Sequence, residues 1–205
     1  MIALIDYGIS NLRSVQKAFE HLDTEVTLVD TPDRLDQAER LILPGVGAFP
    51  AGMKGLQERG LLEPIKQAAR EGKPLIGICL GMQLLFESSD EMGDTRGLGL
   101  LPGKVTRLGG QSSVARDLKI PHMGWNQLDV VRDHPLVRDL VSGSYAYFVH
   151  SYVIYPEDRN IVLTTTDYGG PFASIVGRGN VCGLQFHPEK SQAVGLKLLR
   201  NFLTL

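Results

Sequence analysis

Three features of the 205-residue chain predict an α/β fold with a mixed central sheet and helices on both faces. The first half alternates short apolar runs with stretches of helical period. The second half is dense in strand-like runs, several of them separated by Gly or Pro. The balance of 43% hydrophobic to 21% charged residues is that of an ordinary globular protein. A chain of this length is expected to form one domain over residues 1–205. Its core should be large enough to need neither metal nor disulfide.

Taken in order, Ile2-Ala3-Leu4-Ile5 reads as a buried strand. Ser10 is placed to cap a helix whose Leu12, Val15, Phe19 and Leu22 share one face. Glu25 to Val29 and Leu41 to Leu43 read as strands, the second stopped by Pro44-Gly45. A helix over Leu61 to Arg70 is ended by Gly72 and Pro74. Leu75 to Ile78 is a further buried strand, and Leu80 to Phe86 a helix. Beyond residue 100, the predicted strands are Lys104–Leu108, Gln127–Val131, Tyr145–Ile154, Ile161–Thr166, Phe172–Val176 and Val181–Phe186. A helix from Gln192 to Leu203 follows. The expected sheet therefore has a parallel centre and antiparallel additions.

Charge and composition exclude several function classes. Lys and Arg number 21 against 23 Asp and Glu, so nothing in the charge balance points to nucleic acid or an anionic membrane. No apolar run is long enough to span a bilayer, and the N-terminus lacks the basic region and cleavage site of a signal peptide. The two cysteines, Cys79 and Cys182, cannot build a disulfide framework, and a reducing cytoplasm is the expected location. No paired Cys or His spacing suggests a metal site, and no glycine fingerprint for a nucleotide is present.

The sharpest local feature is Leu75-Ile76-Gly77-Ile78-Cys79-Leu80-Gly81-Met82-Gln83. It reads as strand, Gly-x-Cys-x-Gly, helix: the nucleophile-elbow layout with Cys in place of Ser. Such a turn strains the backbone at the nucleophile, and the flanking glycines relieve crowding where strand and helix meet. The helix N-terminus favours a thiolate, and the Leu80 N–H points where an oxyanion would form. The competing reading of Cys79 is a small buried hydrophobe, the usual fate of a free cysteine, and the motif by itself tips only slightly toward function. The second feature, Gly183-Leu184-Gln185-Phe186-His187-Pro188-Glu189, changes that balance. It supplies the base a thiol needs, His187, and a carboxylate to orient it, Glu189, across a stiff proline. Third, the Pro44-Gly45-Val46-Gly47 loop follows a buried strand and could bring backbone N–H groups to the same sheet edge. Cys182 reads as core, and His134 and His21 as a turn and a helix-end residue.

These motifs, in this order, resemble the class I, triad-type glutamine amidotransferases, which have a flavodoxin-like fold. Three further segments resemble the glutaminase subunits of imidazole glycerol phosphate synthases within that family: Asp6-Tyr7-Gly8 with Asn11-Leu12-Arg13-Ser14, Pro121-His122-Met123-Gly124-Trp125-Asn126, and Phe148-Val149-His150-Ser151-Tyr152. The resemblance implies Cys79 as nucleophile, His187 as acid and base, and Glu189 as orienting carboxylate. It implies Leu80 and the Val46-Gly47 region as oxyanion donors. Gln83, His150, Ser151 and Tyr152 would hold the far end of glutamine. Asn11, His122, Trp125, Tyr147 and Lys190 would face or lie near a partner. No cofactor is implied. The implied partner is a (β/α)8-barrel cyclase, in a heterodimer, consuming the ammonia for histidine biosynthesis. Ile9-Ser10, where many relatives have Met-Gly, is a small departure. The glutaminase subunits of anthranilate and pyridoxal phosphate synthesis share the Cys and His motifs, but the Pro-His-Met-Gly-Trp segment is not expected in them.

Overall fold

The computed structural model describes residues 1–109 and 118–205. Five parallel strands form the centre of the main sheet: β1 (Ile2–Ile5), β2 (Thr27–Val29), β3 (Arg40–Leu43), β4 (Leu75–Ile78) and β13 (Val181–Leu184). Four antiparallel strands extend it: β8 (His122–Val130), β9 (Ser144–His150), β11 (Val162–Asp167) and β12 (Pro171–Arg178). Their order is β2-β1-β3-β4-β13-β12-β11-β8-β9. A smaller sheet, ordered β10-β7-β5-β6, joins Tyr152–Pro156, Gly103–Arg107, Ser88–Ser89 and Thr95–Arg96. The mixed sheet is therefore as the sequence predicts.

Side-chain alternation sends successive residues of the central strands to opposite faces. Ala3, Ile5, Leu41 and Leu43 enter one core, packed with Phe49 and Leu56 of α3 (Phe49–Glu58) and Ile65 of α4 (Leu62–Arg70). Leu4, Ile42, Ile76 and Ile78 enter the other, under Val15 and Phe19 of α1 (Leu12–Glu20) and Leu198, Leu199 and Phe202 of α6 (Gln192–Phe202). The remaining helices are α2 (Pro32–Asp36) and α5 (Leu80–Leu84). Among the described residues, no helix is long and apolar enough to cross a membrane.

Several boundaries differ from the sequence reading. Asn11, not Ser10, stands at the N-cap of α1, and neither supplies a capping side chain; the Ser10 hydroxyl is buried without a partner. Helix α3 was not predicted, because Gly52 and Gly55 weaken its helical signature. Gly55 is required by contact, since a Cβ there would lie 2.5 Å from the Tyr7 carbonyl oxygen, and Gly52 packs closely under the Leu84 side chain. The run Tyr145–Ile154 is two strands, not one. It breaks at Ser151, where β9 leaves the main sheet and β10 enters the small one. Strand β8 starts five residues earlier than Gln127, at His122.

Candidate active site

Cys79 lies between β4 and α5 with φ 55° and ψ −111°. A residue bearing a Cβ pays about 1–3 kcal/mol for such a conformation, and its surroundings must enforce it. The Cys79 N–H donates to the Leu184 carbonyl at 2.7 Å, tying the turn to β13. A Cβ on Gly77 would lie 2.6 Å from the Gly81 oxygen and 2.7 Å from the Met82 Cα. One on Gly81 would run into the Leu43 carbonyl. Strand and helix can approach this closely only because both flanking residues are glycine. The Cys79 thiol is 6% exposed and 3.9 Å from the Val149 carbonyl oxygen.

His187 follows β13 on the neighbouring strand end, so the parallel pairing of β4 and β13 sets Cys79 and His187 side by side. The Glu189 Oε1 accepts from His187 Nδ1 at 2.7 Å, and the Glu189 side chain is 1% exposed. That bond leaves Nε2 as the ring atom toward Cys79. Nε2 has no partner at hydrogen-bonding geometry, although the thiol is near enough to act on the ring's charge. Burial disfavours the imidazolium. The Cys79 and Glu189 side chains outweigh it and push the His187 pKa up to about 10. The group's ordinary value is about 6.5, so its charge stabilises the fold in full below that pH and loses its effect as pH rises through about 10. Wild type should therefore exceed His187→Gln in melting temperature most near pH 6.5, with the gap closing by several degrees toward pH 10, at about 2–4 °C per kcal/mol. Thermal unfolding of both proteins across that range is the check; a gap independent of pH would contradict it.

Cys79 and His187 open onto a cavity of about 430 Å3 that also receives Val46, Gly47, Leu80, Gln83, His150, Ser151 and Tyr152. Every residue that the sequence assigned to the nucleophile, base, oxyanion and glutamine roles thus meets at one place, with Glu189 directly behind His187. Residues 3–205 match the model of the class-I glutamine amidotransferase family. The chain belongs to the class-I glutamine amidotransferases. Among curated relatives, the imidazole glycerol phosphate synthase subunit HisH of Syntrophotalea carbinolica is 50% identical, with 98% of each chain covered. That of Salinibacter ruber is 52% identical over all of this chain and 94% of its own. Among solved structures, PurLQS from Thermotoga maritima superposes with a TM-score of 0.75 at 25% identity, covering 99% of this chain and 97% of that one.

In this amidotransferase the Pro44–Gly47 loop, expected to supply oxyanion donors, is anchored at both ends. The Tyr7 hydroxyl, in a side chain 1% exposed, donates to the Pro44 carbonyl at 2.6 Å. The Glu91 carboxylate accepts the Phe49 N–H at 2.7 Å, at the first residue of α3. Between these anchors the Val46 N–H donates to the Ile9 carbonyl at 3.2 Å. It is therefore not free to receive an oxyanion in this conformation. Gly47 has φ +93°, with open space where a Cβ would be. Leu80 is the first residue of α5, where no helical carbonyl precedes its N–H.

Two residues need a revised role. In the His150-Ser151-Tyr152 segment, assigned to glutamine, the His150 ring has both nitrogens occupied within the protein, Nδ1 by the Tyr152 carbonyl and Nε2 by His122, each at 3.0 Å, which leaves the segment's backbone for a ligand. His122, assigned to the partner side, is 3% exposed and lies inside the fold. The other partner-side residues are on the surface or partly so. Trp125 meets Tyr147 edge-on at 5.9 Å between centroids, and Lys190 Nζ is 5.9 Å from the Tyr147 ring. Asn11, just before α1, is exposed. The same ribbon is bonded to the catalytic strand end: the His187 N–H donates to the Tyr147 carbonyl at 3.0 Å. Cys182 is fully buried, and burial pushes its thiol up to about 12.

The sequence reading overlooked three residues. Tyr7 stood in a segment quoted for the resemblance but had no assigned role. Gln185 accepts from Gln83 at 3.2 Å. Glu91 lines the cavity, and it comes from a short acidic stretch with no periodicity to single it out. Among the described residues, no group of three or more His, Cys, Asp or Glu side chains is placed to hold a metal ion.

Proposed function

We propose that the chain is the glutaminase subunit of an imidazole glycerol phosphate synthase, releasing ammonia from glutamine for histidine biosynthesis. The observation that carries this reading is the convergence of Cys79 and His187 on one cavity, with Glu189 bonded behind His187, in a chain about half identical to curated subunits of that name. In the proposed reaction, the Cys79 sulfur attacks the side-chain amide carbon of glutamine. The oxyanion that forms is held by the Leu80 N–H and by an N–H of the Val46-Gly47 region. His187 receives the thiol proton and delivers one to the departing ammonia, oriented throughout by Glu189. Water then hydrolyses the glutamyl thioester, giving glutamate and the free thiol. No step requires a cofactor.

The partner in this reading is a (β/α)8-barrel cyclase. Ammonia released into open water would be protonated and lost, so a glutaminase gains by holding its acceptor enzyme against the cavity. The exposed Trp125, edge-on to Tyr147, suits that contact, since interface cores are enriched in aromatic residues, and Lys190 beside Tyr147 would lie at its polar rim. A cytoplasmic location accords with two free thiols. The test is glutamate release after mixing the chain with candidate synthases in turn. The barrel cyclase with its nucleotide ligand should stimulate hydrolysis, while anthranilate and pyridoxal phosphate synthases should not. Stimulation by either of those instead would assign the subunit elsewhere.

A further inference from the structure

The two revised histidines belong to one continuous hydrogen-bonded chain. Asn126 Nδ2 donates to the Asp167 carbonyl at 2.8 Å and to His122 Nε2 at 3.2 Å. His122 Nδ1 meets His150 Nε2 at 3.0 Å, and His150 Nδ1 meets the Tyr152 carbonyl at 3.0 Å. Tyr152 also accepts Gln83 Nε2 at 3.0 Å, and the second Gln83 N–H goes to Gln185 Oε1 at 3.2 Å. The direction of every bond follows from the two backbone carbonyls, which can only accept. His150 must carry its proton on Nδ1, so its Nε2 is an acceptor. His122 must then donate from Nδ1 and accept at Nε2, which is what the Asn126 amide supplies. The Asn126 oxygen accepts the Gln127 N–H at 2.8 Å. Each member is satisfied only if both rings are neutral. Burial lowers the pKa of His122 to about 4 and of His150 to about 3, so they stay neutral at working pH.

The chain has a consequence at the cavity. Both N–H groups of Gln83 are consumed inside the protein, so its oxygen is the only polar atom it can present to a ligand. An acceptor at that position recognises an ammonium, not a carboxylate. We propose that His122 and His150 are positioning residues: through the Tyr152 carbonyl they fix Gln83 with its oxygen toward the α-ammonium of glutamine. This rests on the glutaminase reading above. It assigns to His122, inward-facing on β8, a part in substrate recognition that neither its burial nor its distance along the chain from Cys79 suggests.

The test uses the subunit assembled with the barrel cyclase and its nucleotide. His122→Phe keeps a ring stacked between Tyr168 and Phe148, at 4.1 and 4.9 Å, and removes both hydrogen bonds. It should raise KM for glutamine about tenfold, the equivalent of one buried hydrogen bond, with kcat within about threefold. The preference for glutamine over glutaramate, which lacks the α-ammonium, should fall by a similar factor. His122→Asn returns a donor to His150 and should recover most of the loss. Alkylation of Cys79 by iodoacetamide needs no glutamine and should proceed at the wild-type rate. Should His122→Phe fail to fold, Asn126→Ala removes the first donor at a partly exposed site and should raise KM about threefold. An unchanged KM with active wild type would overturn this proposal alone. So would a parallel fall in kcat, alkylation rate and melting temperature, which marks a merely structural role. Wild type that hydrolyses no glutamine in the complex would overturn the glutaminase reading and this proposal together.

Discussion

Replacing Cys79 with alanine is expected to lower glutamine hydrolysis by at least about 10⁴-fold, the scale on which triad hydrolases lose activity without their nucleophile. The cavity would otherwise be little altered. The elbow is held by the Cys79 N–H on Leu184 and by the contacts at Gly77 and Gly81, none of which involves the sulfur. What is lost is the weak contact of the thiol with the Val149 carbonyl and the thiol's support of the His187 imidazolium. Binding of glutamine and of the cyclase should therefore survive. The decisive comparison is between two ammonia sources in the assembled complex. With glutamine, product formation should disappear. With ammonium salts at alkaline pH, cyclisation should continue at the wild-type rate, because the proposed division of labour gives that chemistry to the partner. Loss of both activities together would mean that the two reactions are not divided between the subunits as proposed.

How far the site could be read from the sequence depended on whether its cause was local. The Cys79 elbow was legible because both glycines it needs, Gly77 and Gly81, stand within five consecutive residues, even though the contact that demands Gly81 comes from the distant Leu43 carbonyl. The parallel centre of the sheet was legible because apolar runs alternate with helical periods there. The break at Ser151 was not. Tyr145 to Ile154 alternates as a single strand would, and the break is decided by a distant event, the pairing of Tyr152–Pro156 with Gly103–Arg107. Glu91 was hidden for the same reason: its partner, the Phe49 N–H, is 42 residues away. The misplacement of His122 was avoidable. In a regular strand, residues three apart face opposite sides, so His122 and Trp125 could not both point at a partner. Their register partners, His150 and Tyr147, obey the same parity, one buried and one outward.

The resting oxyanion loop leads to the second large effect. Tyr7 on the Pro44 carbonyl and Glu91 on the Phe49 N–H fix the loop's ends, so motion is confined to the stretch between them, which contains Gly45 and Gly47. Turning the Gly45–Val46 peptide breaks one bond, from the Val46 N–H to the Ile9 carbonyl, at a net cost of about 1 kcal/mol plus whatever strain the turned peptide carries. In the proposed mechanism the turned peptide supplies a second donor to the oxyanion, beside the Leu80 N–H. A missing oxyanion donor costs about 10²–10³ in kcat. The broken bond alone slows the isolated subunit about fivefold, and strain in the turned peptide deepens this up to the limit set by a missing donor, so the isolated subunit is expected to hydrolyse glutamine between about fivefold and about 10³-fold more slowly than the complex with cyclase and nucleotide. The difference should lie in kcat and leave KM nearly unchanged, because the donor acts on the transition state and not on bound glutamine. For this to happen, the liganded cyclase must bind the turned loop more tightly than the resting one, by a factor at least as large as the stimulation it produces. Steady-state kinetics of glutamate release, with and without partner and nucleotide, separates the possibilities. Equal kcat in both states would show that the Val46 N–H is not the missing donor, and stimulation confined to KM would move the regulation from the oxyanion loop to the glutamine pocket.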